Sequence, residues 1–564
     1  MPKTYGYLRA RLQMEKHKLL GWAILAKLSD DEHELQGPGL RLNRHTVIET
    51  LREIQVLLLD FTNLKKRHNL SLVAVEPNLL DEQPDIGGTE PVQPEHSTLQ
   101  RRAMSFIEKT RKYPKRLKWA AFDKKKFEDF LGDLRTLNDD MMGFLDAYER
   151  NRHFQMQEAT FMQILQVNNR IGDLFSLVYS LQHSPREGHE NKLTGQDNRL
   201  IRLARFKAIN IETETQWDGV NPGGEVDLTC LGRLVSNRDY GSESRSCSIL
   251  NGETPVCVEW RYYDALVAAE SSISNTGRQY GPPPFVAQRI SRLAKLLSEK
   301  EKPPEFLVPQ CLGYVHDRNY SRFGLIFNNQ ARGNSLPKTL FSFISTMQKP
   351  SLSSRVRLMR MIATSIWYLH ATNWLHKGLR SENVVFFPAG PGETNSSELR
   401  YLEPVICGFD YSRPSSIGEE TERPTENLLY DMYRHPDVQF DVPREGRRGF
   451  SKLHDIYSLG VVLYEIAMWK PVYILLDIHN AERIKVSIVK NVKRQLLDPR
   501  SREMLGSEVG DVISQAVVTC LDGAQLLTKC PDGIHMITPG LDNDAGLHFA
   551  FGEKIVKRIE SVVV

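Results

Sequence analysis

Two stretches of this sequence hold side chains whose types and spacing could do chemistry. The first, from Arg101 to Phe130, carries eleven basic residues, among them Arg101, Arg102, Lys112, Lys115, Lys118, Lys124, Lys125 and Lys126, against four acidic ones, a net +7 in thirty residues. With Phe106, Tyr113, Trp119 and Phe122 interleaved, its chemistry would be docking on an anionic membrane surface, where each basic residue contributes about 1 kcal/mol. A solvated loop and helix face is the alternative, and the commoner use of a charge run. The second stretch is Trp374 to Phe387, where His376, Lys377, Arg380, Glu382 and Asn383 are crowded together. No Glu-x-x-His pair, His-Glu-x-x-His or nucleophile motif occurs in the first third of the chain. The seven cysteines, Cys230, Cys247, Cys257, Cys311, Cys407, Cys520 and Cys530, form no Cys-x-x-Cys, so neither a metal site nor a disulfide framework is expected.

These residues need a scaffold. The chain has 564 residues, 40% hydrophobic and 25% charged, which suits roughly two to four globular domains. A net charge of +3 gives no global field toward nucleic acid. The odd cysteine count points to a reducing compartment. The N-terminus, Met-Pro-Lys-Thr-Tyr-Gly, lacks a signal-peptide core, and no apolar run is long enough to span a bilayer. The expected location is cytoplasmic, with peripheral membrane contact through the basic run as the variant.

The first third reads as helices. Leu8, Leu12, Leu19, Leu20, Ile24 and Leu28 share one stripe, and Val47, Ile48, Leu51, Ile54, Leu58, Phe61 and Leu64 share another beyond the turn at Gly37 to Gly39. After a Pro- and Glu-rich loop from Glu76 to Ser97, two more stretches follow, Lys124 to Tyr148 and Gln155 to Leu181. Long helices without alternating strands predict an all-α bundle. The run Leu8-x-Ala-Arg-Leu to Gly21-Trp22, the acidic loop and Asn169-Arg-Ile-Gly-Asp-Leu-Phe175 together resemble the HeLo domain of fungal prion-inhibition and incompatibility proteins. That resemblance implies a helical bundle tied to regulated cell death, with protein partners or self-association through the bundle. Some members disrupt membranes with an N-terminal apolar segment, and nothing before Tyr5 here could insert. Either the chain is N-terminally incomplete or that role does not carry over.

Beyond Thr194 short apolar runs alternate with helices. Val256 to Arg261, Leu312 to His316 and Phe323 to Phe327 read as strands, Val286 to Leu297 and Ser354 to Asn373 as helices. The loop His376-Lys-Gly-Leu-Arg-Ser-Glu-Asn383 resembles the protein kinase catalytic loop His-Arg-Asp-Leu-Lys-Pro-Glu-Asn. Val405-Ile-Cys-Gly-Phe-Asp410 falls where the Asp-Phe-Gly strand belongs, His435-Pro-Asp437 resembles Ala-Pro-Glu, and Asp455-Ile-Tyr-Ser-Leu-Gly460 resembles the start of the kinase F helix. The expected architecture is multidomain: an all-α HeLo-like bundle over 1–185, a linker over 186–198 and an α+β, bilobal kinase-like fold over 199–564.

The departures from the kinase pattern are chemical. Kinases place an Asp base and an Asp and Asn on the metals. Here Gly378 stands at the base and Gly408 at the metal-binding Asp, so no catalytic residue is expected; loss of a general base alone costs about 10²- to 10⁴-fold. Compared with Val-Ala-Ile-Lys, Val258-Glu-Trp-Arg261 ends in arginine, which keeps the charge of the nucleotide-gripping lysine but not its geometry. Candidate nucleotide-binding residues are Arg261, Asn383 and Asp410, with Asn383 alternatively a loop residue whose amide bonds the backbone. His376 and Asp455 match positions that hold the catalytic loop in place. Ser415, Ser416, Thr421, Thr425 and Tyr430 lie in the segment that corresponds to an activation loop, where phosphorylation could order it. The leading expectation is a catalytically impaired kinase-like signalling protein with a HeLo-like effector or interaction module, in a fungal incompatibility or cell-death pathway. The alternatives are an atypical ATP- and Mg-dependent Ser/Thr kinase, with Asp410 as substitute ligand, and a membrane-acting cell-death executor.

Overall fold

A computed structural model describes residues 124–143, 169–182, 195–215, 224–235, 244–263, 266–267, 280–282, 284–329, 337–387, 403–409, 413–414, 427–439, 450–479, 484–527 and 543–563, with scattered helical positions between 8 and 57 and between 158 and 166. The chain divides into two units, with the boundary in sequence at Ala204 and Arg205.

The first unit is helical. Its described elements include α1 (Lys124–Gly143) and α2 (Ile171–Gln182). Leu8, Leu12, Leu19, Trp22, Val47 and Ile54 are buried, as are Phe127, Leu131, Leu134 and Met141 at the 3- and 4-residue spacing of one α1 face. Asn138 on that face donates from Nδ2 to the Glu15 carbonyl (3.0 Å) and to Glu15 Oε2 (3.1 Å), a polar tie inside the core. The expected single helix from Gln155 to Leu181 is interrupted: Asn169 and Arg170 are not helical, and α2 restarts on the Arg170 carbonyl, which accepts from the Asp173 and Leu174 amides. The apolar period alone cannot report such a break, because the stripe resumes in phase.

The division between units falls within α3 (Gly195–Thr215). In the second unit, β1 (Arg245–Leu250), β2 (Thr254–Tyr262), β3 (Cys311–Asp317) and β4 (Arg322–Asn328) form an antiparallel sheet in the order β1-β2-β4-β3, with α4 (Pro284–Leu297) between β2 and β3 in sequence. The two-residue strand period sends Val256, Val258 and Trp260 into a cluster with Leu250, Val315 and Ile326, while Cys257, Glu259 and Arg261 point to the opposite face. Gly324 lies opposite Trp260, where a Cβ would stand 2.7 Å from the indole, so the ring fixes glycine there.

The remainder is mostly helical. The helix α5 (Leu352–Ala371), capped by Ser351 Oγ on the Ser354 amide, leads into short β5 (Val384–Phe386) and β6 (Pro404–Ile406), which pair antiparallel. The insert Pro388 to Leu399 lies outside the described residues. Helix α6 (Lys452–Met468) is buried on all sides, which makes it the central element of this unit, and α7 (Pro499–Asp522) packs across it. The close approach is made at Gly460, where a Cβ would lie 2.7 Å from Cys520 Cβ and 3.0 Å from Leu521 Cδ2. The Cys520 Cβ is fixed by its own backbone and cannot withdraw. Gly460→Ala should therefore lower unfolding stability by about 1–3 kcal/mol, the usual cost of overpacking; an unchanged urea midpoint would show that α6 and α7 separate freely.

Candidate functional site

The loop after α5 is held from below by α6. Asp455, fully buried, accepts from the amides of His376 (2.8 Å) and Lys377 (2.8 Å) and from His370 Nε2 (3.2 Å). Burial pushes its carboxyl up, but the hydrogen bond and charge of His370, with His376 and the Lys377 amide, more than offset this, so it titrates below its ordinary value. The clamp holds Lys377 in the left-handed region at φ +63°, a conformation that a lysine adopts only under external constraint.

His376 is satisfied as a neutral ring. Its Nε2–H donates to the Cys407 carbonyl (3.1 Å) and its Nδ1 accepts from the Gly378 amide (3.2 Å). The ring packs 4.7 Å from Phe409, Phe409 lies 5.5 Å from Trp374, and Trp374 stacks 5.5 Å from Phe206 on α3. The loop, the segment after β6 and α3 are thus joined by one aromatic column within the second unit.

Above the loop sits a buried charge cluster. Arg245 on β1 and Glu259 on β2 are cross-strand partners, and Nε donates to Oε1 at 2.8 Å. Arg245 also donates to the Glu382 carbonyl (2.6 Å) and to Asn383 Oδ1. The Asn383 amide donates to the Gly378 carbonyl, and both Glu259 oxygens accept from the Gly408 amide at 3.0 Å. This network explains the two glycines. A Cβ on Gly408, whose φ is +84°, would fall inside the Asn383 amide, and one on Gly378 would stand 3.0 Å from the Gly408 carbonyl oxygen. Beside the charges, Cys247, Cys257, Val385 and Cys407 form one buried cluster, with Phe387 and Val405 against it.

Asn383 is therefore brought together with Gly378 and Gly408, as an amide bonded to the loop backbone on one side and to Arg245 on the other. Arg261 is buried on β2 opposite Phe323, and it is Glu259, two residues earlier, whose carboxylate reaches Gly408. Asp410 lies outside the described residues, as do Arg101, Arg102, Lys112, Lys115 and Lys118; Lys124, Lys125 and Lys126 begin α1, with Lys125 exposed. Of the activation-segment residues, only Tyr430 is described, with the Arg380 guanidinium 3.9 Å over its ring.

Arg245, Glu259 and the cysteine cluster escaped the sequence reading. The signal for Glu259 was present: strand parity puts Cys257, Glu259 and Arg261 on one face, so Val256-Cys-Val-Glu259 fits the lysine-bearing strand motif as well as the register two residues later. Nothing local marks Arg245. Among the described residues His435, Asp437 and His454 also gather, each with one potential ligand atom within 4.8 Å of the others. Lys493 Nζ sits 3.2 Å from His435 Nε2, and His454 Nδ1 accepts from the Ser451 amide, which leaves the His454 proton on Nε2. That arrangement suits neutral hydrogen-bonded rings and opposes a cation.

Residues 1–177 match the HeLo family model, described as prion-inhibition and propagation. This part of the chain is a HeLo domain. The chain is also 26% identical over 228 residues to mouse mitogen-activated protein kinase kinase kinase 15, covering 40% of this chain and 15% of that protein. It is 26% identical over 290 residues to mouse mitogen-activated protein kinase kinase kinase 5 (50% and 18%), and 27% over 122 residues to the probable serine/threonine-protein kinase gdt8 of Dictyostelium discoideum (22% and 8%). The chain thus spans less than a fifth of the length of each of these relatives. The second unit, with its antiparallel sheet and helical remainder, is kinase-like.

The buried histidines give this region a pH signature. His376 is pushed down to about 4 by burial, and His435 likewise to about 4 by burial with Lys493 beside it. Free imidazoles protonate near pH 6.5, so between about pH 6.5 and 4 the unfolded chain binds more protons than the folded one. Stability is full above that window and falls as pH drops through it, by up to about 1.4 kcal/mol per pH unit for each histidine. Urea midpoints followed by tryptophan fluorescence should decrease steadily from pH 7 to pH 5; a flat profile would mean that these rings are hydrated.

Proposed function

We propose that the kinase-like unit is a signalling or regulatory module that does not transfer phosphate, coupled in one chain to a HeLo domain that serves as the interaction or effector module. The observation that carries this reading is the Arg245–Glu259–Asn383–Gly408 network. It fills, with the protein's own guanidinium and carboxylate, the region where a kinase gathers metal and phosphates. A carboxylate in the place of the lysine would repel a nucleotide's phosphates. With Gly378 and Gly408 at the two Asp positions, no base or bridging metal ligand is supplied from those sites. Asp455 and His376 meanwhile keep the loop in shape, which fits a fold retained for recognition. The relatives' names describe kinases; this chain is proposed to keep their shape without their chemistry.

The test is a thermal-shift titration of the full chain with ATP, with and without Mg²⁺. Ligand that binds the native state must raise Tm. No shift is expected at millimolar nucleotide; a Mg²⁺-dependent rise abolished by Asn383→Ala would instead establish a working nucleotide site and restore the kinase reading.

For the HeLo domain, membership in a family known for prion-like self-association supports assembly through the helical bundle. Among the described residues no helix is long and apolar enough to cross a membrane. Light-scattering mass of the full chain should rise with concentration; a monomer at every concentration would point to a different protein as the partner.

A further inference from the structure

Cys247 and Cys257 are directly opposite each other on β1 and β2, with their Sγ atoms 3.4 Å apart. The hydrogen-bonding pattern defines the kind of pair. Cys247 exchanges both backbone bonds, N–H to O and O from N–H, with Val235 on its other side (2.8 Å each), so toward β2 it is a non-hydrogen-bonded position. Such pairs bring Cα atoms to about 4.5 Å, the closest approach in an antiparallel ladder, and within the range a disulfide can span. Side-chain rotation is enough to close the gap.

We propose that Cys247 and Cys257 form a reversible intramolecular disulfide when the protein meets a hydroperoxide, a modification site that covalently staples the β1–β2 hairpin over Val385 and Cys407. The proposal does not depend on whether the cleft binds nucleotide. The neighbourhood separates these thiols from the buried Cys311, Cys407 and Cys520. Burial pushes the Cys407 and Cys520 thiols well up and Cys311 up to about 12, which keeps them protonated and inert. The hydrogen bond from Cys257 favours the thiolate at Cys247 and outweighs the opposing effect of its burial. Cys247 also retains 7% of its surface against 1% for Cys257, so the small oxidant meets Cys247 first.

The chemistry balances in two steps. The Cys247 thiolate attacks a peroxide oxygen: the S–O bond forms, the O–O bond breaks, and the departing hydroxide leaves as water after taking a proton. Cys257 then attacks Cys247 Sγ: the S–S bond forms, the S–O bond breaks, and the second hydroxide leaves as water with the Cys257 proton. Two thiols lose two electrons, and hydrogen peroxide is reduced to two waters.

Both cysteines fall in one tryptic peptide, Ser246 to Arg261. The full chain is treated with a small excess of hydrogen peroxide, denatured, alkylated and digested. The expected result is that this peptide escapes both alkylations and regains them after reduction, while peptides holding Cys311, Cys407 and Cys520 are alkylated throughout. In Cys257→Ser, Cys247 should be captured by dimedone as a sulfenic acid, since the resolving thiol is gone; in Cys247→Ser, Cys257 should remain alkylatable. Continued alkylation of both residues in the oxidised protein, or a cross-link from either to another cysteine, overturns the proposal.

Discussion

A guanidinium and a carboxylate removed together from water set the terms for the cleft of the kinase-like unit. Desolvation costs several kcal/mol for each ion, and the attraction between them offsets this only when the remaining donors and acceptors are also matched. Arg245 and Glu259 have side chains only 4% and 6% exposed, so their environment must supply every further partner. It does so from two backbone groups and one side chain: the Glu382 carbonyl and Asn383 Oδ1 accept from the arginine, and the Gly408 N–H donates to the glutamate. For Asn383 to serve Arg245 it must also reach Gly378, and there is then no volume left for a side chain at Gly408. Gly378, Gly408 and the Arg245–Glu259 ion pair are one arrangement.

The scaffold below is built from different side chains. Asp455 clamps the loop through backbone amides, and the column Phe206–Trp374–Phe409–His376 packs the segment after β6 against the loop. None of these contacts requires a charge in the cleft. Glu465 shows the same separation: buried, and pushed up to about 8 by burial despite hydrogen bonds from Tyr433 (2.8 Å) and the Val472 amide (2.7 Å), it ties the segment after the loop to α6. The loop clamp and the Arg245–Glu259 pair are thus carried by different side chains.

This separation also decides what could be read from the sequence. Elements with strong local patterns were legible: α5, expected over Ser354 to Asn373, runs Leu352–Ala371, and the strand expected over Val256 to Arg261 runs Thr254–Tyr262. The loop from His376 to Asn383 was legible because its residue types are tied to backbone geometry. Arg245 was not, since its role depends on cross-strand register with a residue fourteen positions away and on a loop more than 130 positions away. Glu259 was visible but ambiguous, because strand parity repeats every two residues and cannot choose between two registers on the same face. The interruption at Asn169 and Arg170 was hidden for a similar reason: two helices whose apolar faces align look like one.

The cysteine cluster adds a steric argument to the electrostatic one. A flat ligand between two lobes needs walls that stand apart, yet Cys247 and Cys257 from the sheet above are packed with Val385 and Cys407 from β5 and the segment after β6 below. An entering ring would have to separate these side chains and lose their dispersion contacts, and its phosphates would have to displace Arg245 from Asn383. Binding then draws on an open state that must first be populated, and the apparent dissociation constant is the intrinsic one divided by that population. If opening costs on the order of 3 kcal/mol, affinity falls roughly a hundredfold. A millimolar ligand of ordinary intrinsic affinity could overcome that factor. The buried Glu259 carboxylate, hydrogen-bonded to the Gly408 amide, would face those phosphates and raise the cost further.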